Sequence, residues 1–162
     1  MVIVKWILIV SAIIAIAGIV AGQLGLFKGT PPADLGVQNG KLKPPSITPN
    51  SVSSQASLYP DHPQRAYADI LPLPLKGGPE ATLSRIAGII EGMEGGKIIK
   101  REPHYLYAEF TTRLMKYVDD AEFWFDPAEE VIQVRSASRL GKSDLGVNRK
   151  RIEFIRQGLE KS

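Results

Sequence analysis

The feature that most constrains this chain is an apolar run close to its start. From Trp6 to Gly22 the residues are an almost unbroken series of Ile, Val, Leu, Ala and Gly, interrupted by Ser11, and Leu24, Leu26 and Phe27 prolong the series past Gln23. About 20 such residues span the hydrocarbon core of a bilayer. The apolar core of a cleaved signal peptide needs only about 7–15. Residues 1–27 are therefore expected to form a transmembrane anchor or uncleaved signal sequence. The competing expectation is a cleaved signal peptide, for which Val20-Ala21-Gly22 supplies small residues at a cutting site. Gly18 and Gly22 make a small-xxx-small pair, which in a segment this rich in Gly and Ala reads as chance spacing.

The amine of Met1 and Lys5 place positive charge ahead of the run, and the positive-inside tendency then leaves the N-terminus in the cytoplasm. That makes the chain a single-pass protein of the inner (cytoplasmic) membrane with its soluble part in the periplasm. Lys28, Lys41 and Lys43 on the other side of the run pull weakly the opposite way. Residues 28–49 carry Pro31, Pro32, Pro44, Pro45 and Pro49 with scattered Gly and Asn, and show neither helical nor strand periodicity. They are expected to be a flexible linker, which at roughly 3 Å per residue would hold a domain up to about 60 Å from the membrane.

The rest, residues 50–162, is the length of one small domain. Net charge is +3, a bias too mild for a nucleic-acid surface. There are no cysteines, which excludes disulfides, a lipoprotein anchor, thiolate metal sites and a cysteine nucleophile. Ala68 to Leu73 has the apolar character of a short strand, ended by Pro72 and Pro74. Gly78-Pro79-Glu80 opens a helix with Pro at its first position and an acid in its first turn. Leu83, Ile86, Ala87 and Ile90 recur at helical spacing, and Gly92 and Gly95-Gly96 close it.

The period then changes from 3.6 to 2 through Lys97 to Arg101, Tyr105 to Thr112, Ala121 to Phe125 and Val131 to Ser136, which predicts an antiparallel meander. A turn at Asp126-Pro127-Ala128-Glu129 would pair Phe123 with Ile132, Trp124 with Val131 and Asp120 with Arg135. A final helix is expected from Ser143-Asp144 to Lys161, with Leu145, Asn148, Ile152, Ile155 and Leu159 on one stripe. The fold class is α+β: an antiparallel meander sheet covered on one face by two helices, its other face open, behind a single N-terminal transmembrane helix.

Three stretches carry a family resemblance: Pro49-Asn50-Ser51-Val52-Ser53-Ser54, Tyr117-Val118-Asp119-Asp120-Ala121-Glu122-Phe123, and above all the block from Arg135-Ser136-Ala137-Ser138-Arg139-Leu140-Gly141-Lys142-Ser143-Asp144 to Leu145-Gly146-Val147-Asn148-Arg149-Lys150-Arg151. With these, the chain from about Asn50 to Leu159 resembles the domain-of-unknown-function family numbered fourteen-ninety-nine. The resemblance implies a bacterial or plastid protein, often with an N-terminal membrane segment. It implies no reaction, cofactor or partner. The resemblance implies that a cysteine often stands where this chain has Ser51; any chemistry of such a cysteine is not shared by this chain, so thiol chemistry is not expected as a common function.

Among candidate sites the sharpest is basic. Arg135, Arg139, Arg149 and Arg151 surround the turn from Gly141 to Gly146, including Ser143, that enters the last helix; free backbone N–H groups backed by guanidinium groups make an anion site. The same arginines can instead pair with Asp119, Asp120, Glu122 and Asp144, with Asn148 as a satisfied buried amide, in a structural network locking helix to sheet. Asp119, Asp120 and Glu122 could hold a metal or act as an acid–base pair, but the nearby arginines already supply their countercharge. No metal, cofactor or catalytic residue is assigned. His62 and His104 have no zinc or triad spacing, and Ser53 and Ser54 lack a nucleophile elbow.

By alternation Phe110, Phe123 and Phe125 belong to the core, with Tyr105, Tyr107 and Trp124 on the opposite face. There, exposure would mean a binding surface and cover would mean packing against the N-terminal loop. The expected function is that of a non-enzymatic envelope protein, attached to the membrane by its N-terminal helix, whose domain binds a protein partner there. The alternatives are an enzyme or small-ligand binder acting on an anionic metabolite or lipid headgroup through the arginine-lined helix N-terminus, and docking of the basic last helix on anionic lipid.

Overall fold

Helix α1 (Val2–Gln23) opens the computed structural model, which describes residues 2–161. Met1, whose amine entered the orientation argument, and Ser162 lie outside the described residues. The helix is long and apolar enough to cross a membrane. At 1.5 Å per residue its 22 residues measure about 33 Å. It does not stand free of the domain, because Gln23 Nε2 donates to the carbonyls of Arg113 and Leu114 at 3.3 and 2.9 Å.

The domain is a six-stranded antiparallel sheet. Strands β3 (Gly96–Glu102), β4 (Tyr105–Thr111), β5 (Val118–Asp126) and β6 (Val131–Ser138) form the expected meander. Two short strands, β1 (Ser51–Ser53) and β2 (Leu73–Pro74), both pair with β6 and complete that edge. The strand expected over Ala68 to Leu73 is displaced. Arg65–Ala68 forms a single helical turn, α2, and only Leu73 and Pro74 reach the sheet. On the opposite edge, β3 carries a register irregularity at Ile98/Lys100 and the charges Lys97, Lys100 and Arg101, which guard an unpaired edge.

Helix α3 (Pro79–Glu91) starts with Pro79 at its first position and buries Leu83, Ile86, Ala87 and Ile90. Helix α4 (Val147–Lys161) buries Ile152, Ile155 and Leu159. Together they cover the sheet face formed by Leu106, Ala108, Phe110, Ala121, Phe123, Ile132 and Val134. Each of the large apolar side chains contributes about 1.5–3 kcal/mol by leaving water. Helix α4 begins later than expected, at Val147, because Leu145 and Gly146 adopt positive φ. Asp144 stands just ahead, its carboxylate accepting from the N–H groups of Gly146 and Asn148 at 3.0 and 3.1 Å.

The β5–β6 register differs by two residues from the expected one. Asp126 pairs with Val131, Phe123 with Val134 and Glu122 with Arg135. The loop is four residues long, Pro127 to Glu130, and Glu130 turns it at φ 52°. Glu122, rather than Asp120, therefore faces Arg135.

The other face of the sheet is not open. Residues 29–46 cross it as a strap, and Leu42 within them is 1% exposed. The strap is held by backbone N–H groups: Gly36 donates to Glu122 Oε1 at 2.6 Å, Leu42 to Gln55 Oε1 at 2.8 Å and Ser46 to Ser51 Oγ at 2.8 Å. A tract expected to be a loose linker thus packs as part of the fold. Leu42→Ala should lower unfolding stability by about 2–5 kcal/mol, the usual cost of such a truncation in a core. Urea unfolding measures it, and a shift near zero would mean that the strap contributes nothing.

Candidate functional site

Strand β5 carries four carboxylates; Asp126 stands at its end, and alternation sends the other three, Asp119, Asp120 and Glu122, to different faces. Asp119 turns toward the helices, where Arg151 Nη2 meets its Oδ2 at 2.6 Å. The same guanidinium donates to Asn148 Oδ1 at 2.7 Å and Ser136 Oγ at 3.2 Å, and lies over the Phe110 ring at 4.3 Å. Asn148 itself donates to Asn50 O, Ser138 Oγ and Asp144 Oδ2. Asp144 also accepts from the Tyr67 hydroxyl. Burial raises the Asp144 carboxyl, but the bonds from Tyr67, Gly146 and Asn148 outweigh it and leave the group below its ordinary value.

Asp120 and Glu122 turn to the strap face. Arg139 grips Asp120 through Nε and Nη2 at 2.9 and 2.7 Å, and also binds Glu109 and the Tyr107 hydroxyl. This keeps the guanidinium charged more firmly than usual, chiefly through the Asp120 bond. Arg149 Nη2 donates to the carbonyls of Tyr67 and Asp69 at 2.6 and 2.8 Å. All four arginines of the sequence argument therefore have internal partners, and the three carboxylates do not converge on one point. Ser143 is exposed, its Oγ accepting from the Leu145 N–H at 3.3 Å.

At the centre of the strap face lies Glu122, 0% exposed. Its Oε1 accepts from the Tyr105 hydroxyl at 2.8 Å and from the Gly36 N–H. Its Oε2 has no hydrogen bond among the described residues, and Arg135 Nη1 stands 3.9 Å away. Arg135 Nε in turn donates to the strap carbonyl of Pro44 at 3.2 Å. Burial pushes the Glu122 carboxyl up and the Arg135 guanidinium down, each only partly offset by the other's charge. Tyr105 is raised as well, first by burial and then by the carboxylate beside it.

Directly beyond Tyr105, between the strap and the end of the β3–β4 hairpin, opens a cleft of about 990 Å³. Leu35 to Gln38 form one wall; Lys100, Glu102, His104, Tyr105 and Trp124 are on the other. Tyr105 and Trp124 are direct cross-strand partners on the strap face. Lys100 Nζ lies 5.7 Å from the Tyr105 ring centre and 2.8 Å from Glu102 Oε1. His104 meets the Phe125 ring edge-on. Tyr105 and Trp124 were placed on this face by alternation. The strap wall escaped notice because Leu35, Val37 and Leu42, its sparse apolar residues, follow no period.

A six-stranded antiparallel sheet with helices on one face, behind an N-terminal apolar helix, defines a mixed α+β domain on a segment able to cross a membrane. The chain belongs to the family described as Protein of unknown function (DUF1499), which it matches over residues 41–159. The match begins ahead of Asn50 and so takes in Leu42 and Pro44 of the strap. No curated protein and no solved structure matches the chain.

Arg135→Met would leave Glu122 as an unpaired buried charge, a change that costs about 3–5 kcal/mol. The pH dependence has a definite sign. A carboxyl raised in the folded state holds a proton that the unfolded chain releases, so stability falls as pH rises from the ordinary glutamate value through the raised one. The loss should be greatest at neutral pH and shrink on acidification as Glu122 protonates, which melting curves from pH 4 to pH 8 would follow.

Proposed function

We propose that this chain is a single-pass, membrane-anchored binding protein of a bacterial envelope, without catalytic activity, whose domain takes another envelope component in the cleft beside Tyr105 and Trp124. The cleft carries this reading. It places a half-exposed Trp next to a buried Tyr, with Lys100, Glu102, His104 and Gln38 around them, an apolar floor with polar groups at its rim. Such a surface suits a partner offering a flat apolar group flanked by polar ones.

An anion site at the entrance to α4 is disfavoured, because Arg135, Arg139, Arg149 and Arg151 spend their donors on the chain's own oxygens. A ligand there would have to break buried ion pairs to bind. Anchoring rests on α1, whose outward side chains are almost entirely exposed in the isolated chain. The membrane is the cytoplasmic one and the domain stands in the periplasm, in keeping with Lys5 in the first turn of the helix. A reporter enzyme active only in the periplasm, fused after Lys161, should be active; silence would reverse the orientation.

The cleft is tested in cells by placing a photo-crosslinking phenylalanine analogue at Trp124 or, as control, at exposed Glu160 on α4. A discrete adduct from the cleft position and none from α4 is expected. Trp124→Ala should remove an adduct formed from His104, with the melting temperature little changed. The same adducts from both faces, or none from the cleft, would overturn the reading.

A further inference from the structure

The end of the sheet opposite the cleft is built against α1, and the contact is intimate. Gly22 is buried, and a Cβ there would lie 2.6 Å from the carbonyl oxygen of Met115; one at Gly18 would touch Met115 Cε at 3.7 Å. The β4–β5 loop therefore runs alongside the last turns of the helix. Beyond the helix, Phe27 stacks on Tyr117 with ring centres 5.3 Å apart. Gly29, at φ 66°, crosses the start of the β6–α4 loop so closely that a Cβ would sit 2.8 Å from Arg139 Cβ and 3.1 Å from Leu140 Cγ. Three segments thus meet here: residues 24–29, 112–117 and 139–143.

Apart from Thr112, Tyr117 and Ser143, their exposed and half-exposed side chains are mainly of two kinds. Leu24, Leu26, Leu114 and Leu140 are apolar, Leu114 being 58% exposed. Lys28, Arg113, Lys116 and Lys142 are basic, and the three segments contain no acid. Apolar side chains whose charged neighbours in these segments are all basic, continuous with a helix able to cross a membrane, have the chemistry of a lipid–water interface. Depth agrees with this. Gly18 lies five residues before Gln23, about 7 Å along the helix axis. The Met115 side chain, whose Cε lies beside Gly18, thus reaches the 5–10 Å depth at which interfacial apolar groups settle. Tyr117 then falls at the aromatic belt.

We propose that the β4–β5 loop is a second membrane contact: Leu114 and Met115 enter the headgroup region beside α1, and Lys28, Arg113, Lys116 and Lys142 meet anionic lipid phosphates. The domain then sits directly on the bilayer. This rests on the membrane-anchor reading of α1, and the experiment separates the two.

Because the chain has no cysteine, Leu114→Cys, His104→Cys and Ile13→Cys each give a single labelling site in the full-length protein. An environment-sensitive fluorophore on each is followed in vesicles of phosphatidylcholine and phosphatidylglycerol with brominated acyl chains. The Ile13 and Leu114 positions should lose most of their emission, and the His104 position, beside the cleft, should keep it. Arg113→Glu with Lys116→Glu should relieve quenching at Leu114 and leave it unchanged at Ile13. Quenching at Ile13 without quenching at Leu114 would overturn the inference while the anchor stands. No quenching at either would overturn both.

Discussion

The carboxylates of β5 govern how this domain closes. Asp119, Asp120 and Glu122 lie within four residues of the central strand of the meander, so both faces of the sheet carry buried negative charge. An ionised group taken out of water costs several kcal/mol unless a partner and hydrogen bonds replace its hydration. On one face Arg151 of α4 supplies the partner and draws the helix onto the sheet. On the other, Arg139 holds Asp120, while Arg135 and the strap's own N–H at Gly36 attend to Glu122. Such pairs add little over well-packed apolar residues, but a shift of strand, helix or strap would leave one of them unmatched. They favour one arrangement by making the alternatives expensive.

This also explains why the strap is structural. Glu122 and Arg135 face each other across β5 and β6, and Tyr105 reaches Glu122 diagonally from β4; this group would otherwise face water, where the ion pair would be weak. The strap removes the water and in exchange offers a donor at Gly36 and an acceptor at Pro44. Its glycines and prolines suit this task, since a strap that bonds through its backbone needs close approach and extended conformations rather than a side-chain pattern.

That difference decides what could be read in the sequence. The α3 helix was legible because Pro79, Glu80 and the Leu83–Ile90 spacing act locally, and the meander because its strands alternate. The pairing of acids with arginines was legible as chemistry, though not in its register. A two-residue shift preserves alternation, so the pattern alone does not distinguish Glu122 from Asp120 as the residue facing Arg135; the observed register goes with a four-residue loop in which Glu130 adopts φ 52°. The β1 strand was hidden because Ser51 and Ser53 look like loop residues, yet they face the polar strap side while Val52 enters the core. The cleft had no signature of its own, because one of its walls is the strap.

The two ends of β5 then acquire different roles in the proposed reading. Val118 begins at the loop packed on α1, and Trp124 opens on the cleft near the other end. The eight steps between the ends of this nine-residue strand, at about 3.3 Å each, separate them by roughly 26 Å. A flexible tether would let the cleft range over a wide volume, whereas a strap bound to the sheet and a loop bound to the helix hold it at one height and one orientation above the bilayer. A binding site so held pays little orientational entropy to meet a partner fixed in the same envelope, and correspondingly cannot reach one placed at another height.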